Sequence, residues 1–253
     1  MSADGAAPLR PTPPPSHHHP PPNRGAAALG DKPTGVWLEE LAAPYLAFRA
    51  AGHDVTVATV AGGAPPVDPA SEGDGFFTPD CAAFRADADA QRALAAAPAL
   101  ADLDGADFAC VFLPGGHGTC VDFWGNAAVA SFVRACADAG GVVASVCHGA
   151  LGLVDGVDLA GKNVTCFSNE EEEAVGLTSA VPALCETALV DRGGIYTKAA
   201  EAWASAGGGA PRTPQPPEEA PRADASAPPD PPADRPTDRP LRRGATWWST
   251  DAW

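Results

Sequence analysis

The sharpest chemical signal in this chain is the stretch Val142-Val143-Ala144-Ser145-Val146-Cys147-His148-Gly149. Small and β-branched residues run into a cysteine, a histidine and a glycine, the order expected where a strand turns abruptly into a helix. Such a nucleophile elbow exposes one side chain at the top of a sheet. A cysteine there sits at a helix N-terminus, where free amides and the helix dipole favour the thiolate. His148 supplies an imidazole beside it. The chemistry these residue types offer is covalent thiol catalysis with acid–base help. Free cysteine is also among the most often buried residue types. A cysteine after a strand would by itself indicate packing; the Cys-His-Gly turn is what points to reactivity.

Three further groups could serve that cysteine. Phe112-Leu113-Pro114-Gly115-Gly116-His117-Gly118 ends a second apolar run on consecutive glycines. Backbone amides there can approach a ligand without a Cβ in the way, which suits an oxyanion hole at Gly115 and Gly116 as well as a tight turn. Glu39 and Glu40 open a helical stretch; one should face solvent and the other could reach the sheet top as a proton shuttle. Glu170 to Glu173 follow a strand-like run and start a helix, where the dipole alone favours carboxylates.

The elements that must position these groups alternate. Thr34–Ala51 has Trp37, Leu41, Tyr45 and Phe48 at helical spacing and carries Pro44 inside it. Asp54–Val60 is rich in Val and Thr and predicts a strand. Residues 62–78 predict a long loop and Pro79–Ala97 an Ala-rich helix. Phe108–Leu113 and Gly141–Val146 are short apolar runs that suit buried parallel strands, with a helix over Asn126–Ala139 between them. A short helical stretch after Cys147, a strand over Asn163–Ser168, and helices over Glu170–Gly176 and Val181–Asp191 complete the order. The pattern predicts an α/β fold: an open parallel sheet covered by helices on both faces, with its site at the carboxyl ends of the strands. No Val/Ile-rich run precedes Thr34, Ala26–Leu29 being the one weak candidate for a first strand, and nothing strand-like follows Tyr196.

Composition separates a core from its ends. The 28 prolines of the 253 residues are concentrated, with 8 in residues 1–30, 11 in residues 206–253 and 9 in the long stretch between. The expected organisation is a disordered Pro-rich tail over 1–30, one domain over 31–205 and a low-complexity tail over 206–253. The net charge of −16 falls entirely on 31–205, with 8 Lys and Arg against 24 Asp and Glu. An acidic domain disfavours nucleic-acid binding. No apolar run approaches the roughly 20 residues that span a bilayer, and the N-terminus lacks the regions of a signal peptide. The seven cysteines are scattered and odd in number, without a C-x-x-C pair. That argues against a disulfide framework or structural zinc and fits a reducing, cytoplasmic location. His17, His18 and His19 lie in a proline-rich run and read as low-complexity sequence.

Taken together, FLPGGHG, VVASVCHG and LAGKNVTCFSNEEEEAVGL resemble the ThiJ/PfpI family, also called class I glutamine-amidotransferase-like. GDKPTGVWLEELAAPYLAFRAAGHDVTVATV looks like that family's first helix and second strand, and the resemblance spans about Gly30 to Lys198. The branch it most resembles is the glyoxalase III (D-lactate dehydratase) and heat-shock chaperone branch, in which histidine directly follows the cysteine. The resemblance implies a flavodoxin-like, often dimeric fold. It implies Cys147 as nucleophile, His148 as its partner, Glu40 as the helix glutamate at the cysteine, and Glu172 as triad acid with Glu171 as fallback. Gly115 and Gly116 correspond to the oxyanion glycines, with His117 and Gly149 lining the same place. The implied substrate is a small 2-oxoaldehyde, converted without metal or other cofactor.

The chain also departs from that pattern. Low-complexity sequence stands where the family's first and last strands belong, Ala150 where proline is usual, Cys120 where methionine is common and Cys166 where glycine is common. Three expectations follow: a glutathione-independent glyoxalase, a stress-response chaperone or cysteine redox sensor, or a truncated homologue without function.

Overall fold

The computed structural model describes residues 28–199. The histidine run, the C-terminal tryptophans and nearly all of both expected tails lie outside the described residues. In chain order the strands are β1 (Ala28–Leu29), β2 (Lys32–Pro33), β3 (Cys110–Leu113), β4 (Val142–Ser145), β5 (Asn163–Val164) and β6 (Ile195–Tyr196). The helices are α1 (Leu38–Ala50), α2 (Pro79–Ala86), α3 (Ala88–Ala95), α4 (His117–Phe123), α5 (Ala127–Asp138), α6 (Asn169–Ala174) and α7 (Cys185–Asp191). β3 pairs with β4 and β5 with β6, both in parallel, while β1 and β2 form a small antiparallel hairpin. The parallel α/β architecture expected from the sequence is present. Among the described residues no helix is long and apolar enough to cross a membrane.

Local chemistry explains where the elements begin and end. The α1 helix starts at Leu38 rather than Thr34 because the backbone before it is committed elsewhere. Val36 N–H donates to Pro66 C=O at 2.9 Å and Trp37 N–H to Gly115 C=O at 3.0 Å. The single helix expected over Pro79–Ala97 is two helices broken at Asp87. Its carboxylate accepts from Asp89 N–H at 2.8 Å and Ala90 N–H at 3.1 Å, capping a new helix as the old one ends. Asn126 caps α5 in the same way, and Ser168 with Glu171 forms a full capping box on α6. The helical stretch after Cys147 is a 3-10 turn, Cys147–Leu153.

Burial falls into three clusters. Leu38, Tyr45, Phe84 and Leu94 join α1 to α2 and α3. Val111, Leu113, Val129 and Val133 seat α5 on the β3–β4 ladder. Leu151, Leu159 and Leu189 pack the 3-10 turn against α7. The ladder sets Leu113 opposite Ser145. The two loops that leave these strands, one glycine-rich and one bearing Cys147, therefore emerge side by side at the carboxyl end of the sheet, where open α/β sheets place ligands.

The strand expected over Asp54–Val60 is the clearest correction. Among the described residues, 54–58 make no backbone–backbone hydrogen bond, and Thr59 forms only an isolated parallel bridge to Ala99. A strand needs a partner, and among the described residues β3 has one on β4 only. Between residues 56–60 and 110–113 lies a cavity of about 410 Å³, walled by Leu100, Phe132 and Val133 toward α5. A second of about 120 Å³ opens between the same backbones toward α1, against Leu41, Tyr45 and Phe48. Consecutive residues lining a gap that opens on both faces mark two backbone edges with no strand between them among the described residues. β6 was not singled out in the sequence: two residues too few to show a period nevertheless pair with β5.

The amides of Val55, Val57 and Ala58 should exchange with solvent deuterium at least about 100-fold faster than those of α5. Equal protection would mean that the gap is filled in solution.

Candidate active site

Cys147 is the single non-glycine residue with positive φ among the described residues, at 53°. That left-handed conformation costs a β-carbon-bearing residue about 1 kcal/mol or more, and it is the strained turn that an elbow requires. Across from it, Gly115 comes so close that a Cβ would stand 2.6 Å from Cys147 Cβ and 2.5 Å from Glu40 Oε2. Gly116 has φ 98°, and a Cβ there would meet Gly35 O at 2.4 Å. These glycines let two loops and the start of α1 converge on one sulfur.

Two side chains reach that sulfur and two more stand behind them. Cys147 Sγ lies 3.2 Å from His148 Nδ1. His148 Nε2 lies 2.7 Å from Glu172 Oε2, and both of these side chains are buried. Glu40, on the first turn of α1, accepts the Gly115 amide at 2.8 Å and reaches the Cys147 thiol with the same carboxylate. His117 Nε2 lies 2.9 Å from the other oxygen of Glu172. Its ring lies tilted at 44° to that of His148, with centroids 4.2 Å apart, and His148 is in turn tilted against Phe167 at 4.3 Å. Glu171, the alternative acid, instead accepts from the Ser168 amide at 2.8 Å and hydroxyl at 2.9 Å as part of the α6 cap. The register of α6 thus turns Glu172 inward.

The model of the DJ-1/PfpI family matches residues 33–202, about two thirds of the chain. The chain belongs to the DJ-1/PfpI family. Rapid Encystment Protein 24 kDa of Francisella tularensis is 33% identical, with 69% of this chain and 79% of that one covered at a TM-score of 0.64. A further solved chain is 38% identical, with 69% and 78% covered at a TM-score of 0.60. The structure of glyoxalase III from Candida albicans shares the fold at 24% identity, 70% and 79% coverage and a TM-score of 0.64. In sequence, Glyoxalase 3 of Candida albicans is 28% identical over 155 residues, 58% of this chain. The chain spans 66% of the length of that curated relative.

Within this DJ-1/PfpI domain the electrostatics differ from what the elbow alone predicts. The thiolate was expected to be favoured at a helix start. Burial, followed by the neighbouring Glu40 charge, instead pushes the Cys147 thiol well above its ordinary value, although the Gly116 and His148 amides aimed at the sulfur pull the other way. Burial also raises the Glu40 carboxyl to about 7, against the pull of the Gly115 amide and the Cys147 thiol. His148 is lowered, mainly by burial. Glu172 goes down to about 2, because its hydrogen bonds from His117 and His148 outweigh the burial that would raise it. An ionised Glu172 accepts, so His148 donates from Nε2 and its Nδ1 is the bare acceptor facing sulfur. The single thiol proton therefore has two acceptors, Glu40 and His148.

Two glycine assignments change in detail. The Gly115 amide is held by Glu40. The Gly149 amide donates to Val146 C=O at 2.9 Å, and a Cβ on Gly149 would stand 2.1 Å from Leu113 O. The amides left facing the sulfur are those of Gly116 and His148. The His148 amide was not singled out in the sequence, although the residue after the nucleophile is the usual oxyanion donor at an elbow. His117 was placed in the loop, but its bond to Glu172 has no signal in spacing.

Replacing Glu40 with Gln removes the carboxylate charge that opposes the thiolate. At neutral pH iodoacetamide should then alkylate Cys147 several-fold faster, read by peptide mass spectrometry. An unchanged or slower rate would contradict the coupling of Glu40 to the sulfur.

Proposed function

We propose that this chain converts small 2-oxoaldehydes of the methylglyoxal type to 2-hydroxy acids, without glutathione or a redox cofactor, in the manner of a glyoxalase III or D-lactate dehydratase. The observation that carries this reading is the continuous chain Glu172–His148–Cys147, closed by Glu40 on the other side of the sulfur. The name of the Candida relative supports the same class of reaction.

The thiol adds to the aldehyde carbon as its proton passes to Glu40 or His148, forming a hemithioacetal. The Gly116 and His148 amides face the place where the oxyanion develops. Glu40 or His148 then removes the proton from that carbon and delivers it to the neighbouring carbonyl carbon, while the hemithioacetal hydroxyl proton passes to the neighbouring carbonyl oxygen. The outcome is a 2-hydroxyacyl thioester on Cys147, which water hydrolyses. Oxidation of one carbon balances reduction of the next, so no external electron acceptor is needed. Ionised Glu172 steadies the imidazolium form of His148 when it takes up a proton. A role as redox sensor fits less well, since sensors rely on a low-pKa thiolate, and here burial and Glu40 oppose it. We place the reaction in the cytoplasm.

Purified chain given methylglyoxal without glutathione should yield lactate, and Cys147→Ala should yield none above the uncatalysed rate. Lactate production equal in both proteins would end the mechanism. Where Glu40 is the base, its pKa of about 7 means that it is mostly able to accept a proton only above that pH. The rate at low substrate should fall about tenfold per pH unit below 7 and level off above. The Glu40→Gln variant should lose at least about 100-fold and with it this inflection.

A further inference from the structure

Glu172 does more than support the catalytic histidine. Its two carboxylate oxygens take one imidazole each: His117 Nε2 at 2.9 Å on Oε1 and His148 Nε2 at 2.7 Å on Oε2. The two nitrogens and the carboxylate lie within 4.8 Å of one another. They come from three elements: the first residue of α4, the turn after β4, and α6. His148 and Glu172 are sealed from solvent, whereas His117 keeps a partly exposed edge. Two imidazole nitrogens and one carboxylate oxygen, with one side open, form the donor set that zinc takes in sites retaining a free position. Zinc lies about 2.0–2.1 Å from such donors. The three groups need only close around an ion that takes the place of the two shared protons, which move to the Nδ1 atoms of their rings.

We propose that His117, His148 and Glu172 form a binding site for zinc or a similar borderline divalent cation, and that its occupancy switches the cysteine chemistry off. Binding itself follows from the donor geometry and rests on no reading of the reaction; only the switch rests on the function proposed above. In the metal-free arrangement the Nε2–H of His148 points at Glu172 and its bare Nδ1 faces Cys147. An ion on Nε2 requires the imidazole proton to move to Nδ1. The ring stays neutral and no proton is lost, but the atom facing sulfur becomes a donor. His148 can then no longer accept a proton from the thiol or from the substrate carbon, and Glu172 is withdrawn to the metal. The net charge of −16 favours cation approach from a distance.

Isothermal titration of the full, reduced chain with zinc chloride should show one tight equivalent. His117→Gln and Glu172→Gln should each weaken it by at least 100-fold, and Cys147→Ala should leave it unchanged. Cobalt(II) in place of zinc should give visible ligand-field bands without a thiolate-to-cobalt charge-transfer band. This wild-type spectrum tests the donor set even if a variant fails to fold. A charge-transfer band, undiminished affinity in the folded His117→Gln chain, or no stoichiometric binding would overturn the site. One equivalent of zinc should abolish lactate formation, and a chelator should restore it. Zinc bound at full turnover would overturn the switch and leave the site standing. A metal-free chain without turnover would count against the proposed function, and the titration and spectrum would still decide the site.

Discussion

A buried carboxylate bonded to two imidazoles is the interaction on which the rest of this site depends. Glu172 has almost no solvent contact, and burial alone would raise its pKa and neutralise it. Hydrogen bonds from His117 and His148 reverse that tendency and keep it ionised. An ionised Glu172 fixes the tautomer of His148, and the tautomer decides which atom faces Cys147. Removing one partner would leave a charge buried without compensation, which typically costs 3–5 kcal/mol or forces protonation. The surrounding structure serves to hold that carboxylate. The capping box ties Glu171 to Ser168 so that the next residue points inward, and Phe167 supports the His148 ring from below.

On the other side of the sulfur the constraint is steric rather than electrostatic. Gly115, Gly116 and the left-handed Cys147 let α1, the β3 loop and the β4 loop approach within contact distance. Glu40 thereby reaches both an amide and the thiol, while burial raises it to about 7, so that it is part ionised at neutral pH. Two carboxylates in one site are thus driven apart, Glu172 down to about 2 and Glu40 up to about 7. In the proposed reaction such separation suits them to different work: a fixed charge that orients, and a group that exchanges protons.

How much of this was legible in the sequence depended on range. The elbow and the Pro-Gly-Gly loop are local patterns in which strand residues, turn residues and nucleophile are contiguous, so Cys147, His148, Gly115 and Gly116 stand out. Glu40 and Glu172 needed the family resemblance, because nothing in a run of acids says which one a helix will turn inward. The bond from His117 to Glu172 spans 55 positions and has no local trace. Fold features divide in the same way. Parallel β3 and β4 announce themselves as apolar runs, whereas the break at Asp87 depends on a side chain choosing the backbone ahead of it. The segment 54–60 shows the limit of β propensity: Val and Thr make a strand only where a neighbour offers a ladder, and here a two-faced gap lies beside it.

The central claim is that Glu172 holds His148 as the neutral tautomer protonated on Nε2, with a bare Nδ1 toward Cys147. Nitrogen-15 shifts of the histidine side chains, recorded on the metal-free chain near neutral pH, measure this directly. The account predicts a pyrrole-type Nε2 and a pyridine-type Nδ1 for His148, and loss of that fixed pattern in Glu172→Gln. A doubly protonated ring, or the proton on Nδ1, would contradict it.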